Sequence, residues 1–267
     1  MNFRHVYAIA LRQYFLIWSN PTRFVQYFLW AAIDIILWGF ITKYFAGIGG
    51  AVFALAPALL GGVVLWNFLI RTMQGISTSF FEDVWSRNFL NFFASPLSMG
   101  EYILGLVSTS IVTTSFSFMM MIILVSVFFG FSIFSFGLPL IAFMLVLFLF
   151  GVALGILAVG MVLRLGPAAE WFVWPIPAML SPFVGVFYPI STLPYWMQVV
   201  GKGLPPTYVF EGMRALILHG ATSLPDLFVG GALSLAYIIL MYAFFKSVYQ
   251  HAIRSGLIAR YSAETSS

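Results

Sequence analysis

Asp34 is the one acid that the sequence places well inside a long apolar run, within WAAIDIILWGF at 30–40. A carboxylate at mid-bilayer costs about 2.5–3.5 kcal/mol on insertion scales, so it must face a bundle interior, be paired, or be protonated. It therefore serves either as a proton or substrate site or as a structural hydrogen bond to a neighbouring helix. A second group is Glu82, Asp83 and Arg87. Asp83 and Arg87 stand four apart in the acid-then-base order that a helix favours. Phe81, Val84, Trp85 and Phe89 supply an apolar side to the same segment. Such a helix can dock into a partner, or it can be an ordinary solvated surface. A third group is Glu211 and Arg214, one helical turn apart in a stretch punctured by Pro189, Pro194, Pro205 and Pro206.

Several chemistries are excluded. There is no cysteine, hence no disulfide, thiol nucleophile or cysteine-ligated metal. The three histidines, His5, His219 and His251, are too scattered for a metal site. Gly201-Lys202 is the only Gly-Lys pair, and Trp196 and Gly203 stand where a phosphate-binding loop needs Gly and Ser/Thr. The chain is expected neither to hydrolyse ATP itself nor to hold a cofactor.

Composition says what positions these residues. Of 267 residues 62% are hydrophobic and 7% charged, and the mean hydropathy is +1.02. A soluble domain carries roughly a quarter of charged residues. About 20 apolar residues suffice to cross a bilayer, and residues 102–163 contain no charge. The reading is an all-α polytopic membrane protein forming one domain, 1–267, with six spans at 24–44, 53–71, 102–129, 138–163, 171–188 and 227–245. The fifth carries Pro175, Pro177 and Pro182 and should be kinked.

Ahead of the spans, residues 2–18 read as an amphipathic helix lying in the interface. Phe3, Val6, Tyr7, Ala10, Leu11, Tyr14, Ile17 and Trp18 share one face, with Arg4, His5, Ala8 and Arg12 opposite. The polar stretch 72–100 lies between spans two and three, the second span can continue into it as a longer cytoplasmic helix, and Ser98 to Glu101 can cap the helix that follows. Residues 189–216 read as a broken, re-entrant helical hairpin, because unpaired backbone cannot face lipid. Nine of the twelve Lys and Arg residues fall on the side that holds both termini, against Lys43, Lys202 and Arg214 on the other. By the positive-inside rule both termini are cytoplasmic and the hairpin is external. Net charge is +4, but the basic residues flank spans and give no reason to expect nucleic acid.

At this point the chain resembles the membrane subunit of a type-2 ABC exporter. The run FASPLSMGEYILG at 93–105 is similar to the family's SPLS-x-x-EY-x-x-G entry into the third span. YPISTLP at 188–194, LPPTY at 204–208 and Glu211-Gly-Met-Arg214 resemble its proline-rich signature before the last span. The resemblance implies a bacterial inner-membrane permease that dimerises with a second copy and takes its energy from a separate ATPase, which would bind ATP and Mg. It implies that Glu82, Asp83 and Arg87 lie on a cytoplasmic coupling helix, with Arg4 and Arg12 on a connecting helix beside it. Pro189, Pro194, Pro205, Glu211 and Arg214 would belong to an external gate. An aromatic-rich route suits a lipid-like, amphipathic or drug-like substrate, or alternatively a lipid-linked polysaccharide. The rival from another class is a proton-coupled carrier that titrates Asp34.

Overall fold

A computed structural model describes residues 2–19, 21–48, 51–86 and 96–255. The described residues form helices joined by short turns: α1 (Phe3–Trp18), α2 (Pro21–Ile48), α3 (Ala51–Trp85), α4 (Met99–Phe129), α5 (Pro139–Leu165), α6 (Glu170–Val173), α7 (Ile176–Leu180), α8 (Tyr195–Lys202), α9 (Pro205–His219) and α10 (Leu224–Ser255).

The apolar runs dictate the long helices, and their ends are marked by local chemistry. Ser98 caps α4 in a full capping box: its hydroxyl accepts from the Glu101 N–H, and the Glu101 carboxylate accepts from the Ser98 N–H. Pro139 and Pro205 open α5 and α9, where a missing N–H costs nothing. α5 is the central helix. It packs most extensively against α10 and α3, and α3 packs in turn on α4 and α2. Gly151 and Gly155 let α5 lie close on α3; a Cβ there would stand 2.8 Å from Thr72 Cβ and 2.8 Å from Ile76 Cβ. Small residues at a crossing are how helices gain van der Waals contact where no hydrophobic force drives them together. Leu65, Leu69, Met73, Ile76 and Phe80 of α3 and Phe143, Leu147 and Phe150 of α5 are buried within the bundle. The outer faces of α4 and α10 are apolar and exposed, as at Val112, Met119, Val127, Phe228 and Ile239. That is the inverse of a soluble surface and suits lipid.

Four helices among the described residues are long and apolar enough to cross a membrane: Pro57–Trp85, α4, α5 and α10. α2, 28 residues long, contains the first predicted span. The predicted fifth span, 171–188, is not one helix. It consists of α6 and α7, four and five residues long, followed by turns from Ser181 to Tyr188. Pro175, Pro177 and Pro182 each remove a helical donor and clash with the preceding turn, so a kink becomes a break. The second span runs on as a longer helix into the polar stretch 72–86, as the sequence allowed. α3 continues without interruption through it to Trp85.

Two ends of the bundle can be told apart. α1, the C-terminal end of α3 and the start of α4 meet at one end, and Gly100 of α4 lies beside Tyr242 in the C-terminal half of α10. The turn before α5, the start of α3 and α9 meet at the other, where a Cβ on Gly61 would stand 2.6 Å from Phe136 and 3.2 Å from Met213.

Candidate functional site

The first cluster is built where α1 lies across α3 and α4. Asp83 has no exposed side-chain surface, and Arg12 Nη2 of α1 lies 2.6 Å from its Oδ1. Its other oxygen accepts from the Tyr102 hydroxyl at 2.8 Å and from Gln13 Nε2 at 3.4 Å. Gln13 also donates to the Ser79 carbonyl at 3.3 Å. A charge this deep requires both a counter-charge and hydrogen bonds to its remaining lone pairs, and α1 and α4 supply them. Two turns earlier on α1, Glu101 accepts from the Asn2 N–H at 2.6 Å and lies 3.0 Å from His5 Nδ1. These donors, Asn2 first, then His5 and Ser98, hold the Glu101 carboxyl down at about 2. Between the two polar contacts sits Ile9, and only Gly105 leaves room for it, since a Cβ there would stand 2.6 Å from Ile9 Cγ2.

The run leading into α4 thus has a physical account. Ser98 and Glu101 cap the helix, Glu101 holds the start of α1, Tyr102 reaches Asp83, and Gly105 admits Ile9. Of these, the sequence reading had only the cap. Tyr102 and Gly105 stood in the EY-x-x-G run without an assigned role, while Gln13 and Ile9 of α1 were missed.

Not every expected residue is where it was placed. Glu82 is 6% exposed and Asp83 is fully buried, so neither carboxylate is presented outward from the bundle. Asp83 pairs with Arg12, seventy-one positions earlier, and Arg87 lies outside the described residues. Arg4 is exposed. On α1 it is the face carrying His5, Ile9, Arg12 and Gln13 that packs on the bundle, while the apolar Phe3, Tyr7, Leu11 and Tyr14 point outward.

The second cluster is at the opposite end. Glu211 Oε1 accepts from Arg214 Nη2 at 2.7 Å and from the Ile190 N–H at 2.7 Å. It thereby ties α9 to the irregular chain after α7. Gly185, at φ +69°, turns that chain against Arg214, and a Cβ there would be 3.0 Å from Nη2. Phe187 stacks on Trp38 of α2 with centroids 4.2 Å apart, and Val184 and Val186 are buried. Thr207 and Tyr208 donate to the Gly201 and Lys202 carbonyls at the end of α8. Pro189, Pro194 and Pro205 flank these short elements; the Pro189 carbonyl accepts from the Thr192 hydroxyl at 2.7 Å, and the Pro194 carbonyl accepts from the Met197 and Gln198 N–H groups.

Asp34 joins neither cluster. Half-buried on α2, it has Asn67 and Arg71 of α3 as its polar neighbours. No group of His, Asp and Glu among the described residues could hold a metal ion.

The sequence model of the ABC-2 type transporter family matches residues 4–218, from the start of α1 nearly to the end of α9. The chain belongs to the ABC-2 type transporter family. No curated protein matches it. Both clusters of this ABC-2 permease fall inside the matched range. As a membrane component it carries no catalytic duty itself, and membership implies association with an ABC ATPase. Neither cluster has a nucleophile beside a base. The first joins helices through the buried Arg12–Asp83 pair, and the second ties α9 to the chain after α7 through the Ile190 N–H that Glu211 accepts, which suits transmission of movement rather than bond-breaking.

Proposed function

We propose that this ABC-2 permease is the membrane half of an ATP-driven exporter that works as a pair of copies, each with an ATPase at its basic end. The observation that carries the proposal is the Arg12–Asp83–Tyr102 cluster, which makes α1, the end of α3 and the start of α4 one unit. A push on any of the three is shared by all. Since Glu82 and Asp83 are buried, they transmit the push from within, and the exposed Arg4 is left to meet the ATPase. The coupling free energy comes from differential contact with the two nucleotide states of that partner.

Both termini lie in the cytoplasm of a bacterial cell, and the Glu211–Arg214 cluster belongs to the external gate. The cargo is lipid-like, amphipathic or drug-like. In support, Ile33, Ile36, Leu37, Phe40, Ile41 and Tyr44 form one largely exposed, almost wholly apolar face of α2. Asp34, beside Asn67, acts as a structural hydrogen-bonding group and not as a proton carrier.

The test is reconstitution in vesicles with and without the ATPase, using a fluorescent amphiphile as cargo. Export that requires ATP and the ATPase, resists a protonophore and survives Asp34→Asn is expected. Uphill movement by the permease alone, collapsing with the proton gradient and lost in Asp34→Asn, would overturn the proposal in favour of a carrier.

A further inference from the structure

At the basic end of the bundle, α5 and α10 finish side by side, and a cleft of about 300 Å³ opens between them. Its lining divides sharply. Leu163, Phe244 and Val248 form the apolar part, while Arg164, Ser247 and His251 supply the polar part. Val248 and Leu163 are buried, whereas Arg164, Ser247 and His251 are exposed. No carboxylate among the described residues forms an ion pair with Arg164. Glu170, the next acid along the chain, accepts from Trp174 Nε1 at 3.2 Å. Two cationic or protonatable groups from different helices therefore share one concavity with a hydroxyl donor and an apolar lining. The volume is at the lower end of the roughly 300–1,000 Å³ that small-molecule sites occupy.

We infer that this cleft is a binding site for the phosphate headgroup of an anionic phospholipid, with Arg164 as the principal anion contact. A lipid fits better than a soluble anion for a structural reason. The cleft lies at the ends of two membrane-crossing helices; exposed Leu165 follows Arg164, and exposed Leu240 lies one turn before Phe244 on the same face of α10, so an acyl chain can follow the headgroup out along α10. Basic pockets between spans on the cytoplasmic side are suited to acidic headgroups, and Arg presents a planar fork that matches phosphate oxygens. Lys246 and Arg254 on α10 are also exposed but do not line the cleft, and they raise the local potential without forming the site.

The full chain in mild detergent is mixed with phosphatidylglycerol or phosphatidylcholine at equal concentration, and retained lipid is counted by native mass spectrometry. Phosphatidylglycerol should be retained in preference. Arg164→Gln should weaken that preference about fivefold, the equivalent of about 1 kcal/mol for one basic residue at a membrane surface. Arg164→Gln with His251→Gln should weaken it further. Arg164→Lys should keep most of it, and unchanged helicity and dispersity show that the variants fold. Lys246→Gln, outside the cleft, should have a smaller effect; a loss equal to that of Arg164→Gln would mean diffuse attraction and would sink the site. Equal retention of the two lipids, or indifference to both Arg164 and His251, would sink it too. A parallel arm adds inorganic phosphate alone: if it stabilises the protein to heating as phosphatidylglycerol does, and Arg164→Gln abolishes this, the lipid assignment falls.

Discussion

Replacing Arg12 with leucine tests the buried cluster most directly. The change leaves a carboxylate with no exposed surface facing only the Tyr102 hydroxyl and the Gln13 amide. Truncating one member of a buried pair costs about 3–5 kcal/mol. We take about 3 kcal/mol for Arg12→Leu, the lower figure, because the Arg12 side chain is 28% exposed and Tyr102 still donates. Asp83→Leu removes the carboxylate, strands the Tyr102 hydroxyl and leaves Arg12 one route to water, for a similar cost of about 3 kcal/mol. If the two acted independently the double variant would lose about 6 kcal/mol. It should instead lose only about 2 kcal/mol, chiefly for the unpaired Tyr102 hydroxyl, since apolar replacement of a whole buried pair is often nearly neutral. Melting in detergent, followed by tryptophan fluorescence, reads the difference: each single variant should fall by about 6–12 °C and the double by distinctly less than either. Hydrogen exchange along α1 localises the loss. Additive effects within about 0.5 kcal/mol would refute the view that Arg12 and Asp83 hold α1 as a pair.

Three further outcomes follow from the same geometry. Gly105→Val should displace Ile9 and free α1 from α4, seen as rapid proteolysis within residues 3–18 while α4 and α5 stay protected; unchanged protection would remove the close-packing account. At the other end, Gly185→Ala places a Cβ at φ +69°, which costs about 1–2 kcal/mol, and Glu211→Gln weakens a charge-assisted hydrogen bond worth about 1.5–3 kcal/mol. Both should lower the melting temperature, and their effects should fail to add because the two residues shape the same turn. For Glu101 the folded pKa, about 2, lies below the ordinary 4.5, so its stabilisation is complete above about pH 4.5 and lost as pH falls toward 2. Pepsin should therefore cut α1 far faster at pH 2 than at pH 4.5 relative to the rest of the chain, and Glu101→Gln should erase most of that contrast.

Much of the fold was legible because it depends on local composition. α4, α5 and α10 begin within about three residues of the apolar runs that predict them. What failed did so for two physical reasons. Glu82 and Asp83 look like solvent-facing charges; continuation of the second span past Arg71 as a longer helix was open from the sequence, but the burial of its acids was not, and that burial is tolerable because Arg12 and Tyr102 meet Asp83. A compensating partner seventy-one positions away leaves no periodicity to read. The prolines of 171–188 were visible, but whether Pro gives a kink or a break depends on what receives the freed backbone. Here Trp38, Gly62, Gly201 and Arg214 pack around the broken chain from four other elements.

The same contrast explains why the run at 96–105 reads as a motif at all. Its members are not bound to one another by helix spacing beyond the Ser98–Glu101 cap; they are bound to α1. Glu101 meets Asn2 and His5, Gly105 meets Ile9, and Tyr102 meets the carboxylate that Arg12 and Gln13 also hold. Partners at 2, 5, 9, 12 and 13 on one helix and 101, 102 and 105 on the other describe a single packed seam whose two halves lie about ninety residues apart in sequence. An N-terminal helix that merely rested in the interface would need none of this complementarity, and its apolar face would suffice. That face points outward instead, so α1 is fastened by polar contacts on one side and left free to engage lipid on the other. A helix fastened in this way moves with α3 and α4 or not at all, which is the mechanical property that a nucleotide-driven partner requires.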